Sequence, residues 1–266
     1  MSPRHEVDPG KLAEAIAALE RPLVIALDVD GTLAPIVEDP SKARVPSATA
    51  RTLRHLRSVD GVELALVTGR DHGQLERMVS LPGAWRVVEH GRVIIAPGER
   101  PRGPSIEPED RRRLGQFRAW ALEHAGPRGA HVEDKDAAVV VHVRKLAAED
   151  RDAAEAVLDD ARDAATELDL CCRDGRAVLE AELEPSDKGT ALASLLDAAG
   201  AASCVYAGDD LTDEPAIALA SRHGIGIFVR SAERPDPPPG TTAVVEGPGG
   251  LAELLGVLER TLKPAP

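Results

Sequence analysis

The sequence predicts an α/β protein with a doubly wound parallel-sheet core and a smaller α+β unit inserted into it. Three observations predict this. Short apolar runs alternate with segments of helical period near both ends of the chain. The middle, bounded by Pro- and Gly-rich stretches, follows a different order of elements. The β-α-β-α-β alternation needs crossover helices, which make the strands parallel and cover the sheet on both faces.

The elements follow in order. Leu12–Leu19 has helical spacing and Pro22 ends it, and Leu23–Leu27 (LVIAL) is a continuous apolar run, as in a buried strand. Ala48–Val59 is helical, with Leu53 and Leu56 as anchors; Val62–Val67 (VELALV) is a second buried strand; His72–Val79 is helical; Arg86–Glu89 begins a third strand. Pro97–Pro108 has the composition of a hinge. Glu109–His124 then reads as a helix, and Ala137–Val143 and Ala177–Ala181 flank one long Ala-rich helix, Ala147–Leu168. A Pro stretch at Glu184–Pro185 closes this unit, so residues 101–185 are expected as the insertion and residues 1–100 with 186–266 as the core. The core pattern resumes with a helix at Lys188–Ala198, a strand at Ser203–Ala207 and a helix at Glu214–Ala220. Strands at Ile225–Val229 and Thr242–Val245 and a closing helix at Leu251–Leu262 complete it.

Composition narrows the function. Of 266 residues, 43% are hydrophobic but only 2% aromatic, so the core must be built from Ala, Val, Leu and Ile. A net charge of −13 argues against nucleic acid as a partner, because phosphate backbones need a basic surface. No stretch approaches the roughly 18 apolar residues of a membrane span, and Met1–Glu20 lacks an apolar signal core. The three cysteines, Cys171, Cys172 and Cys204, have neither a disulfide framework nor a metal-type spacing, so the expected location is the reducing cytoplasm. The oligomeric state is left open, and a monomer is compatible with everything in the sequence.

The chemistry-bearing residues sit at element ends. Asp28-Val29-Asp30-Gly31-Thr32 follows the first strand, and ligands of open parallel sheets bind at the carboxyl ends of strands. Gly31 permits a sharp turn that presents backbone N–H groups. Thr68-Gly69-Arg70 follows the second strand, and Gly208-Asp209-Asp210-Leu211-Thr212-Asp213 follows Ser203–Ala207. Ser186-Asp187-Lys188-Gly189 opens a helix and can hold Lys188 near an anion. The set suits phosphoryl transfer: cationic and dipolar partners for the phosphoryl oxygens, hard oxygen ligands for magnesium, one carboxylate as nucleophile and a second as acid and base.

In that order the four motifs resemble those of the haloacid-dehalogenase-like phosphatases, which have a Rossmann-type core. The resemblance implies Asp28 as nucleophile, Asp30 as general acid/base, and Thr68 and Lys188 as holders of the phosphoryl group. It implies Mg²⁺ bound by the Asp28 side chain, the Asp30 carbonyl and Asp209, supported by Asp210 or Asp213. From the residues alone, Asp210 and Asp213 have a second reading, which is to orient the lysine. Thirty-eight residues lie from Asp30 to Thr68 and 120 from Thr68 to Lys188, so a cap domain fits only in the second interval. A lid placed there can exclude water and choose the leaving group.

Beyond the core motifs, the chain is similar to trehalose-6-phosphate phosphatases. Glu89-His90-Gly91 resembles that family's segment after the third strand. Val132-Glu133-Asp134-Lys135 with His142-Val143-Arg144 resembles its cap signature, and Glu180 matches a cap glutamate ahead of Lys188. Tyr206 to Glu214 follows its fourth motif. The resemblance implies a small-molecule sugar phosphate as partner, with Gly69, Arg70, His90, Gly91, Glu133, Lys135, His142, Arg144 and Glu180 at the substrate. Carboxylate and ammonium groups suit a polyhydroxylated disaccharide. There are departures: Glu182 stands where the family often has arginine, Pro185 is displaced, and Pro215-Ala216-Ile217 follow Glu214. Sucrose 6-phosphate, mannosylglycerate phosphate and glucosylglycerate phosphate therefore stay open as substrates. A phosphomutase of the hexose type would need its cap in the first interval. A non-catalytic regulatory domain would usually lack one of Asp28, Asp30, Lys188 and Asp209, all of which are present.

Overall fold

The structure is a computed structural model and describes residues 8–262 apart from 38, 101–105, 136, 176 and 184–186. The chain separates into two compact units, Met1–Arg102 with Ser186–Pro266, and Gly103–Pro185. The hinges expected at Pro101–Pro104 and Pro185, and Ser186 of the helix-opening motif, lie outside the described residues.

The first unit begins with α1 (Pro9–Ala17), β1 (Leu23–Asp28), α2 (Ser47–Arg57), β2 (Val62–Val67), α3 (His72–Met78), β3 (Trp85–Val88) and β4 (Val93–Ile95). The second unit comprises α4 (Pro108–Trp120), β5 (His131–Lys135), β6 (Ala138–His142), α5 (Arg144–Glu149), α6 (Arg151–Glu167), β7 (Cys171–Gly175) and β8 (Val178–Glu182). The first unit then resumes with α7 (Lys188–Ala199), β9 (Ser203–Gly208), α8 (Glu214–His223), β10 (Gly224–Arg230), β11 (Ala243–Glu246) and α9 (Gly247–Leu262).

The first unit holds a seven-stranded sheet in the order β11-β10-β9-β1-β2-β3-β4. All its pairings are parallel except β3 with β4. Connections run outward from β1 in both directions, so the strand order reverses beside β1 and opens a crevice at its carboxyl end. β1 is buried along its whole length because helices cover both faces. Leu23, Ile25 and Leu27 face a cluster with Leu12 and Ile16 of α1, Leu53 and Leu56 of α2 and Leu254 and Leu258 of α9. Val24 and Ala26 face Leu192 and Leu195 of α7 and Ile217 of α8. Small branched side chains let the helices approach the sheet closely, which a core so poor in aromatics requires.

The second unit is a four-stranded antiparallel sheet, β5-β6-β8-β7. Val139, Val141, Leu179 and Ala181 pack one face against Leu114 and Phe117 of α4 and Val157 and Ala161 of α6. The other face is polar. The single long helix expected over Ala147–Leu168 is two helices. Asp150 is extended (φ −147, ψ 104) and its side chain accepts from the Ala153 N–H, so it caps α6 and ends α5. The sequence reading did not place β4, β5 or β7. Among the described residues no helix is long and apolar enough to cross a membrane, and the three cysteines are free.

Candidate active site

The site in the first unit grows from the ends of β1, β2 and β9 and the start of α7. Asp28 is the last residue of β1 and is buried. After it the chain turns tightly: Gly31 N–H donates to the Ala34 carbonyl at 2.8 Å, and Leu33 and Ala34 donate to the Val29 carbonyl. Gly31 has φ +82, and a Cβ there would stand 2.1 Å from Asp209 Oδ2. Glycine is therefore needed both for the turn and for the approach of that carboxylate. The next residue completes the arrangement, since Thr32 Oγ1 donates to Asp209 Oδ1 at 2.9 Å.

Lys188, the first residue of α7, is 3% exposed. The helix start is held by Asp187, whose side chain accepts from the Gly189 and Thr190 N–H groups at 2.7 and 2.9 Å. Lys188 Nζ donates to Asp28 Oδ1 at 2.6 Å and to Asp213 Oδ1 at 2.7 Å. Asp213 is fully buried and also accepts from the Tyr206 hydroxyl at 2.6 Å and, at Oδ2, from the Asp210 N–H at 3.0 Å. Asp28 Oδ2 has no hydrogen-bond partner among the described residues. Carboxylate oxygens of Asp28, Asp209 and Asp213 lie within 4.8 Å of one another, a donor set that could hold a metal ion and has the hard oxygens a magnesium ion prefers.

The electrostatics follow from this packing. Burial pushes the Asp28 carboxyl well above the ordinary range, the Asp213 charge adds to that, and Lys188 opposes both. Burial alone would lower the Lys188 ammonium, but the charges of Asp28 and Asp213 outweigh it and raise it. Burial, with a contribution from the Asp213 charge, pushes Asp209 up to about 6, against the pull of the Thr32 hydrogen bond. Burial and the Asp213 charge hold the Tyr206 phenol protonated, so it acts as a donor. Three crowded carboxylates around one ammonium leave an excess of negative charge, which a divalent cation would neutralise.

The remaining expected residues of this unit gather nearby. Thr68 is buried just past β2; its N–H donates to Val87 and its Oγ1 accepts from the Arg70 N–H at 3.1 Å. Arg70 Nε and Nη2 each donate to one oxygen of Asp30 at 2.7 Å, a bidentate pair that orients both side chains. The turn after β3 is stitched to the β2 loop, with Glu89 N–H donating to the Arg70 carbonyl and His90 N–H to the Thr68 carbonyl. The His90 ring lies so close over Gly69 that a Cβ there would be 2.3 Å from it. At Gly91, φ +103, a Cβ would meet Ala191 and the Asp187 carbonyl. Asp210 does not join the acidic cluster: it is exposed, and it meets Asp213 through its backbone, its carbonyl accepting from the Asp213 N–H and its N–H donating to the Asp213 carboxylate, each at 3.0 Å.

In the second unit, Glu133, Lys135, His142 and Glu180 share the polar sheet face. Glu133 Oε2 lies 2.8 Å from His142 Nε2, and Lys135 Nζ donates to Glu180 Oε1 at 3.1 Å. Arg144 is apart from them, exposed in the first turn of α5 and without an ion-pair partner among the described residues. Sequence reasoning missed three contributors. Thr32 and Tyr206 were read only as parts of motifs, although a lone tyrosine inside an apolar strand was a signal for a buried donor. Arg173 lies on the unread strand β7, pairs in register with Glu180, and donates to the buried Glu182 at 3.1 Å.

Known proteins resemble this chain in sequence and in fold. The family model for trehalose-phosphatase matches residues 26–239. The trehalose-phosphate phosphatase of Mycobacterium tuberculosis is 33% identical over 264 residues, covering 96% of this chain and 65% of that protein. The chain thus spans somewhat less than two thirds of the length of that relative. A solved trehalose-6-phosphate phosphatase of Aspergillus fumigatus has 21% identity and a TM-score of 0.72, covering 96% of this chain and 98% of that one. A haloacid dehalogenase-like hydrolase from Bacillus subtilis has 17% identity and a TM-score of 0.62, covering 88% and 98%. These two establish the fold. The family match takes in every strand-end motif from Asp28 to Asp213 and the intervening unit, and by it the chain belongs to the trehalose-phosphatase family.

Proposed function

We propose that this chain hydrolyses trehalose 6-phosphate to trehalose and phosphate, with magnesium, through an aspartyl phosphate on Asp28. One observation carries the reading: the buried Asp28 carboxylate, held at one oxygen by Lys188 and with no hydrogen-bond partner at Oδ2 among the described residues, belongs to the acidic cluster. Asp28 Oδ2 attacks phosphorus, the bond from phosphorus to the sugar oxygen breaks, and Asp30 gives its proton to the leaving alcohol. Water then attacks the phosphorus of the aspartyl phosphate, Asp30 takes up a proton from it, and the bond to Asp28 breaks to release phosphate. Lys188 and the Thr68 hydroxyl bind phosphoryl oxygens, and Arg70 holds Asp30 in place through both its oxygens. Asp28, Asp209 and the Asp30 carbonyl would hold magnesium, with Asp213 orienting Lys188. When bound, the cation neutralises the charge that gathers on the transferred group.

The polar sheet face of the second unit supports a sugar as leaving group. Glu133 and Glu180 would accept hydrogen bonds from hydroxyls and Lys135 would donate to them, and a site that pairs buried polar groups with hydroxyls rejects analogues lacking them. Gly69, His90, Gly91, His142 and Arg144 complete the proposed contacts. Glu182, which stands where the resembled family often has arginine and here accepts from Arg173, keeps as a second reading a related sugar phosphate such as mannosylglycerate or glucosylglycerate phosphate.

The test is phosphate release with and without magnesium from trehalose 6-phosphate, sucrose 6-phosphate, glucose 6-phosphate and mannosylglycerate phosphate. A magnesium-dependent preference for trehalose 6-phosphate is expected. Preference for another member would overturn the substrate, and no release by folded, magnesium-loaded protein would overturn the reaction.

A further inference from the structure

A second feature of the first unit is a recess beside Arg70. Its volume is about 150 Å³, and its lining comprises Pro40, Ser41, Arg44, Arg70, Gln74, Arg77 and Met78. Three arginines line it and, among the described residues, no carboxylate does, in a chain whose net charge is −13. Arg70 has its counter-charge in Asp30, outside the lining, whereas Arg44 and Arg77 have no ion pair among the described residues.

Two of the three arginines are already oriented. Arg44 Nη1 donates to the Ser41 and Ala43 carbonyls, each at 2.7 Å, which leaves its Nη2 and Nε for another acceptor. Arg70 is locked by its bidentate pair with Asp30, and its Nη1 has no partner among the described residues. Arg77 is exposed and has no ion pair among the described residues. It stands one helical position group beyond Gln74, so the two side chains share a face of α3. The turn that carries Ser41 is held by Asp39, which accepts from the Ser41 N–H and hydroxyl at 3.0 and 2.7 Å. Uncompensated donors on pre-oriented guanidinium groups are what a tetrahedral oxyanion requires.

Size decides between ligands. Pockets for drug-sized molecules run to roughly 300–1,000 Å³, so this recess suits an ion and excludes a disaccharide ester. We propose that it is a second anion site, separate from the phosphoryl site at Asp28, and that it takes inorganic phosphate. Arg70 then stands between two acceptors, with Asp30 on one side and the bound ion on the other.

The experiment is a binding stoichiometry, which is read without turnover and so fails or succeeds independently of the proposed reaction. Magnesium-loaded wild-type protein is titrated with inorganic phosphate by calorimetry, beside the Arg44→Gln/Arg77→Gln double variant and the single variant Arg77→Glu. Each variant is expected to bind one phosphate fewer per chain than wild type, with hydrolysis of p-nitrophenyl phosphate at trace phosphate unchanged. Arg44 and Arg77 are both exposed, so the variants are expected to fold, and circular dichroism checks this. Glucose 6-phosphate is expected not to displace phosphate from the second site. Equal stoichiometry in folded wild type and variants overturns the site, and displacement by glucose 6-phosphate overturns its restriction to the free ion.

Discussion

Replacing Lys188 by methionine tests the electrostatic core of the site. The ammonium is 3% exposed and lies 2.6 and 2.7 Å from carboxylate oxygens of Asp28 and Asp213. At those separations and an effective dielectric constant of about 20, each pair attracts by roughly 6 kcal/mol. Desolvation of the ions offsets much of that gross figure, so the triad is a weak source of net stability while intact. Breaking it is different, because two buried carboxylates lose their counter-ion, at a cost of about 3–5 kcal/mol. For a chain of this size that is a fall in Tm of roughly 6–20 °C. The sign of the pH dependence also follows. Without Lys188, the raised Asp28 carboxyl rises further, and the folded protein then binds more protons than the unfolded chain above the unfolded value of about 3.9. Stability lost at pH 7.5 is therefore partly restored at pH 5.5. The assay is urea unfolding in EDTA at both pH values. Trp85 lies in β3 and Trp120 in α4, so a Trp120→Phe background makes fluorescence report the first unit alone. A loss below about 1 kcal/mol, or one equal at both pH values, would refute the reasoning.

The other predictions concern the proposed reaction. Asp28→Asn keeps the acceptor that Lys188 contacts but removes the nucleophile, so turnover should fall to background with an unchanged circular dichroism spectrum; near wild-type rates would exclude covalent catalysis at this residue. Thr32→Val deletes the hydrogen bond on Asp209 with little change of volume and should weaken apparent magnesium affinity by roughly 10–100-fold, seen in magnesium activation curves. With the Asp209 carboxyl pushed up to about 6, protons compete with the cation below that pH, so the magnesium concentration for half-activation should climb between pH 7.5 and 5.5. Glu133→Ala should slow hydrolysis of the natural disaccharide ester far more than that of an aryl phosphate, and equal losses would assign Glu133 a structural role.

How far the sequence could be read depended on how local each signal was. β1, β2, β9 and β10 announced themselves because strands covered on both faces are continuous apolar runs. β7 (CCRDG) was not legible, since one of its faces is polar and its five residues carry no strong alternation. β4 has only three residues, too few to establish a period. The break at Asp150 hid inside an Ala-rich stretch of high helix propensity, where a single capping carboxylate outweighs the local preference. Helix α8 ran three residues beyond its expected end, because Arg222 and His223 close it with polar side chains that apolar spacing does not register.

By itself the sequence determined the alternation of elements, the position of the carboxylates and the lysine at their ends, and the acidic, aromatic-poor character of the chain. Those are local properties of short segments. Only the tertiary structure decided which charges neutralise which. It set Lys188 between Asp28 and Asp213, which lie 160 and 25 residues away along the chain, Thr32 against Asp209, Arg70 on Asp30 and Arg173 on Glu182. It also left Asp210 in solvent while burying its neighbours Asp209 and Asp213. The reason is physical: a carboxylate's behaviour depends on its burial and on partners within a few ångströms, and those distances are set by strand order and helix packing rather than by spacing along the chain.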